Sequence, residues 1–105
     1  MGTLYIISVR VIPRRRLVDY YNKHKETKNQ LEAWYHEVKN AKWNNPQEVK
    51  EKYGSASIIG DNRVVFNIKG NKHRLVTHIN YEMKVVNIKF LGTHKEYDKI
   101  NAEEI

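Results

Sequence analysis

The sequence predicts an α+β fold in which helices cover one face of a four-stranded sheet, and three observations predict it. A β-branched run stands near the start, two stretches with apolar residues at helical spacing follow it, and from Asn62 the apolar period changes to two. The 105 residues read as a single domain over 1–105, large enough for one core, with no linker or internal repeat to divide it.

The first strand is Leu4–Ile12 (LYIISVRVI), which Pro13 ends, and proline suits the first turn of the helix that follows. In Arg14–Lys25, Leu17, Tyr20 and Tyr21 fall at i, i+3 and i+4 and mark one helix face. The polar Lys25–Lys28 turns the chain. Leu31, Trp34, Tyr35 and Val38 then repeat the stripe in a second helix over Lys28–Lys42. Asn45-Pro46 restarts the chain, Gln47–Tyr53 reads as one or two further helical turns, and the SASII segment between Gly54 and Gly60 reads as irregular.

A three-stranded antiparallel meander completes the sheet. Asn62–Lys69 turns Val64, Phe66 and Ile68 inward, and Gly70-Asn71 marks a tight turn. Lys72–Tyr81 carries Leu75, Thr77, Ile79 and Tyr81 on one face. After a turn at Glu82-Met83, Lys84–Leu91 points Val86, Ile88 and Phe90 inward. Thr93 followed three residues later by Glu96 is a capping box, which predicts a short helix from Thr93 to about Asn101.

The charge balance narrows the partners. Lys and Arg number 19 against 12 acids, a net charge of +7 on a small body, which favours a polyanion. Between Asn62 and Leu91 the basic residues are Arg63, Lys69, Lys72, Arg74, Lys84 and Lys89, against the single acid Glu82. A solvated sheet face normally mixes its signs, so the outward face of the meander reads as a surface for phosphates. Three arginines after Pro13 oppose the helix dipole, which a solvated first turn tolerates. No apolar run approaches the roughly 18 residues of a spanning helix, so no membrane partner is expected. The opening segment puts its arginines after the apolar run, the reverse of a signal peptide, and a cytoplasmic protein is expected. The chain has no cysteine, hence neither disulfides nor thiolate metal sites. His24, His36, His73, His78 and His94 make no zinc pattern with their carboxylate neighbours, so neither metal nor cofactor is expected. P-loop, dinucleotide fingerprint and nucleophile elbow are all missing.

Cleavage of RNA needs none of these. The substrate's 2′-hydroxyl is the nucleophile, and the protein supplies a base, cations around the phosphate and a proton for the leaving oxygen. His94 and Tyr97 stand three apart in the first turn of the last helix, on one face, where free N–H groups attract anions. His94 can transfer a proton and Tyr97 can donate or position.

Arg63-Val64-Val65-Phe66-Asn67-Ile68-Lys69-Gly70-Asn71, Arg74-Leu75-Val76 and Gly92-Thr93-His94-Lys95-Glu96-Tyr97-Asp98 carry a resemblance. So do Leu31-Glu32-Ala33-Trp34-Tyr35 and Trp43-Asn44-Asn45-Pro46. Taken in this order, from about Val9 to Ala102, the chain resembles the HigB toxins of type II toxin–antitoxin modules, a branch of the RelE-like superfamily. The resemblance implies the RelE-like fold and a metal-independent endoribonuclease acting on mRNA at the ribosome. It also implies a cognate antitoxin of helix-turn-helix type, through which alone the toxin meets DNA. It places Asn71, Arg74, His94 and Tyr97 in the active site. Arg74 would meet transition-state charge, His94 would transfer a proton, and Tyr97 would position the substrate or share that transfer. Lys69, Lys89 and Lys95, with Arg63, would bind RNA phosphates. Met1–Ser8 precedes the resemblance. A competing reading keeps the charge and drops the chemistry: a non-catalytic module that blocks translation by occupying RNA or ribosome, for which Lys69 and Lys89 matter more than His94.

Overall fold

The computed structural model describes residues 8–105. Positions 4–7 of the expected first strand lie outside the described residues; the described part of it is β1 (Arg10–Ile12). The order continues α1 (Arg14–Lys23), a 3-10 turn over Lys25–Thr27, α2 (Lys28–Lys39), α3 (Pro46–Lys52), β2 (Ser57–Ile59), β3 (Arg63–Ile68), β4 (His73–Asn80), β5 (Val85–Thr93) and α4 (His94–Tyr97). The α+β class stands, with one strand more than expected: the sheet is five-stranded in the order β1-β5-β4-β3-β2. β1 lies parallel to β5 and the other neighbours are antiparallel.

The added strand comes from the segment that reads as irregular. Ser57, Ile58 and Ile59 pair with Val65, Val64 and Arg63 through a tight turn at Asp61 and Asn62, which adopt φ of 59° and 60°. Asp and Asn tolerate this left-handed conformation better than most residues, so the turn forms without glycine at either position. With only three residues, β2 exists through its pairing with β3.

α1, α2 and α3 cover one face. Leu17, Leu31, Trp34, Val38 and Val49 meet Val64, Phe66, Ile68, Leu75, Ile79, Val86 and Ile88 in one core. Trp34 packs edge-to-face on Phe66 with ring centres 5.3 Å apart, a geometry aromatic quadrupoles favour. α2 stops at Lys39, just after the last residue of its apolar stripe. α3 starts on Asn45, whose side chain accepts from the Glu48 N–H at 3.0 Å, with Pro46 at its first position.

Two expectations about the sheet are corrected. In β5, Phe90 pairs with Val76 and Ile88 with Thr77, which leaves Lys89 as an extra residue in a β-bulge. The bulge reverses the alternation. Phe90, expected under the helices, joins the opposite face, and Leu91 packs on the helix side. The opposite face is also not an open basic surface. α4 ends at Tyr97 rather than Asn101, and the chain beyond it lays Ile100, Ala102 and Ile105 over Val65, Val76 and Phe90. Short-range bonds explain the early end: Lys99 donates to Glu96 O and Ile100 to Tyr97 O, which tightens the chain after the first turn.

Candidate active site

The β3–β4 connection and the β5–α4 junction meet at one end of the sheet, where Ile68 pairs with His73 and His73 with Thr93. Lys69 and Gly70 take φ of 54° and 65°, and the Lys72 N–H donates to Lys69 O at 3.3 Å. Only glycine adopts such a φ without cost, so Gly70 lets the chain turn sharply and present Asn71. Arg74 follows on the side of the sheet away from the helices. Its guanidinium donates to the Asn71 side-chain oxygen and, at 3.0 Å, to Asn71 O. The same guanidinium lies over the Tyr97 ring, 5.6 Å from its centre. Fixed by an amide on one side and an aromatic face on the other, the cation is oriented before any anion arrives.

The capping box forms as expected. Thr93 Oγ1 accepts from the Glu96 N–H at 3.2 Å, and Glu96 Oε1 accepts from the Thr93 N–H at 2.8 Å. These bonds hold the Glu96 carboxyl below the usual range for glutamate. The His94 N–H donates to Lys72 O at 2.9 Å, which ties the start of α4 to the β3–β4 turn. The His94 side chain is 44% exposed, and its Nε2 lies 3.4 Å from Asp98 Oδ1. A carboxylate on one nitrogen orients an imidazole for proton transfer through the other. Asp98 escaped the sequence reading, although it sits four residues after His94, the spacing that brings helical side chains together.

Asn71, Arg74 and Tyr97 therefore form one contact group, and His94 shares the helical turn of Tyr97. Lys69, in the turn beside Asn71, and Lys95, on α4, are exposed at the same end. Lys89 is exposed at the bulge, farther along β5. Arg63 stands apart. It is 8% exposed, pairs with Asp61 Oδ2 at 2.8 Å, and donates to the main-chain oxygen of Ile105. It pins the covering segment at the end of β3 away from Arg74. The arginines at the start of α1 are likewise engaged: Arg14 lies over the Tyr35 ring, Arg15 pairs with Asp19, and Arg16 donates to Ile88 O.

A second polar cluster, on the helix side of the same sheet end, had no signature in local spacing. His73 is 3% exposed. Its Nδ1 hydrogen-bonds Tyr20 Oη at 2.6 Å and its Nε2 lies 3.1 Å from Glu26 Oε2. His24 stacks on Tyr20 with ring centres 4.3 Å apart. Burial first, then Glu96 and Glu26, push the Tyr20 phenol up to about 12. Glu26 is held low, first by main-chain hydrogen bonding and then by His73. Arg16, Asp19, Tyr20, Lys23 and Leu91 line a groove of about 240 Å³ beside the cluster. A cavity of about 130 Å³ between Trp34, Tyr53 and Phe66 touches none of the candidate residues. Of the candidate residues at this end, Lys69, Asn71 and Lys95 are exposed and Arg74, His94 and Tyr97 half-buried.

Residues 27–100 match a family described as HigB toxin, the RelE-like toxic component of a toxin–antitoxin system. Among curated proteins, the chain is 29% identical over 94 residues to the mRNA interferase toxin HigB of Escherichia coli K12, covering 88% of this chain and 90% of that protein. The mRNA interferases HigB of Escherichia coli O157:H7 and Shigella flexneri match with the same identity and coverage.

Proposed function

The chain belongs to the HigB toxin family, RelE-like toxic components of toxin–antitoxin systems, and from that premise we propose that it is an endoribonuclease that cleaves mRNA and is silenced by a cognate antitoxin. The finer reading is cytoplasmic cleavage on the translating ribosome, without a metal ion, with an antitoxin of helix-turn-helix type as the only link to DNA. The observation that carries it is the Asn71–Arg74–Tyr97 group beside His94 at one end of the sheet.

In this reading the RNA 2′-hydroxyl attacks the adjacent phosphorus and the 5′-oxygen leaves, giving a cyclic phosphate and a 5′-hydroxyl end. His94, oriented by Asp98, moves the proton. Arg74 meets the charge that develops on the phosphoryl oxygens, and Asn71 keeps it aimed there. The Tyr97 hydroxyl positions the phosphate or shares the proton transfer. Lys69, Lys89 and Lys95 hold flanking phosphates, a role for which buried Arg63 is not placed.

Induced expression with primer extension on a translated message tests this. Wild type arrests growth and cuts the message. Arg74→Ala and His94→Ala, folded by circular dichroism, lose about 100-fold or more of the cleavage rate. Full cleavage by both variants overturns the catalytic assignment. Growth arrest with an intact message favours the occupancy reading instead.

A further inference from the structure

We propose that His24, Glu26 and His73 form a binding site for a divalent transition-metal ion of the zinc class. One ligand atom from each residue lies within 4.8 Å of the others. Two imidazoles with one carboxylate suit zinc or cobalt better than magnesium or calcium, which prefer all-oxygen shells. In a tetrahedral shell with bonds near 2.0–2.1 Å, neighbouring ligand atoms stand about 3.3 Å apart. His73 Nε2 and Glu26 Oε2 are already at 3.1 Å. The ligand nitrogen of His24, half-buried just after α1, stands within 4.8 Å of both, and an ion would draw it in.

The surroundings also match a metal site. A ligating histidine usually engages its second nitrogen with an outer partner, which fixes the tautomer. Tyr20 Oη stands in that place, 2.6 Å from His73 Nδ1, where it can accept the Nδ1 proton and leave Nε2 for the ion. His73 is held in the core, so one ligand is braced in advance, and the His24 ring lies beside it against Tyr20. Thr27 donates to His24 O through both Oγ1 and its N–H, pinning the 3-10 turn that carries Glu26. Glu26 is exposed and leaves a path from solvent. Occupied, the site would fasten this turn to the residue just before Arg74. The inference does not rest on the ribonuclease reading, which uses the other face of the sheet.

The test is titration of the untagged chain with Zn²⁺ by calorimetry and with Co²⁺ by visible absorption, at neutral pH. The expected result is one ion per chain, tetrahedral Co²⁺ bands and a raised Tm. His24→Phe keeps a ring against Tyr20, and Glu26→Gln keeps the shape of an exposed side chain, so both should remain folded. Each is expected to lower affinity at least about tenfold. No saturable binding by the wild-type chain, or unchanged affinity in either variant, overturns the proposal.

Discussion

Arg74 is the cation to which the proposed chemistry assigns the developing charge. Its charge is ordinary; what sets it apart is the amide of Asn71 and the ring of Tyr97, which hold its plane. Arg74→Lys keeps the charge and loses the planar fork. It is expected to behave much closer to Arg74→Ala than to wild type in a cleavage assay, whereas a site that needed only positive charge would tolerate it. A second residue carries a prediction of opposite sign. Among the described residues the Tyr81 hydroxyl is buried without a hydrogen-bond partner, and burial pushes its phenol up to about 12. Tyr81→Phe removes a desolvated polar atom and should be neutral or stabilising by up to about 1 kcal/mol in a denaturant melt. At this scale the sequence was informative where the chemistry is local. Asn71 and Arg74 lie three apart around one turn, and His94 and Tyr97 share one helical turn. Arg63 and His73 were not legible, because partners 42 and 47 residues away decide what they do.

Among the elements, α4 has only four residues, so its capping box accounts for much of its order. Thr93→Ala should cost about 1 kcal/mol of stability. It should cost more in cleavage, because His94 and Tyr97 ride on that turn; urea melts and single-turnover rates separate the two effects. The Glu96 half of the box titrates. Its folded carboxyl lies below its unfolded value, so its contribution is complete above the unfolded pKa of about 4.3 and disappears as pH falls through the folded one. Wild type and Glu96→Gln should therefore differ in Tm near neutral pH, and the difference should fade as pH falls through the folded pKa. Just before the box, a Cβ on Gly92 would stand 2.6 Å from Phe90 Cζ and 3.0 Å from Glu96 Oε1. Gly92→Ala should thus lose about 1–3 kcal/mol through overpacking. Periodicity revealed α1, α2, β3 and β4 because each sets one regular apolar stripe into the core between helices and sheet. It could not reveal β2, whose three residues are ordered by a neighbour, nor the bulge in β5, which leaves both halves of that strand apolar on alternate positions.

For the molecule as a whole, the net charge of +7 sets how it meets RNA. Single-strand affinity should fall with salt with a log–log slope of about −0.7 per phosphate engaged. Replacing Lys69, Lys89 or Lys95 by Gln should each flatten that slope by about 0.7, while Arg63→Gln should leave it unchanged and lower stability instead. Among the described residues no helix is long and apolar enough to cross a membrane. The composition showed the sign of the surface but not its layout, since apolar residues at the end of the chain cover the middle of the face where basic side chains were expected. Lys89 has a role that its charge does not reveal. It is the one position in β5 that faces no partner across the ladder, so swapping its side chain should disturb only RNA contacts. Deleting the residue outright would leave Ile88 opposite Thr77 and Phe90 opposite Val76, so the ladder would run on without a bulge and Phe90 through Thr93 would keep their faces. The variant lacking Lys89 is expected to fold with α4 on its native side, checked by circular dichroism and a urea melt, because the surplus residue alone interrupts the pleat and the residues after it already have their partners.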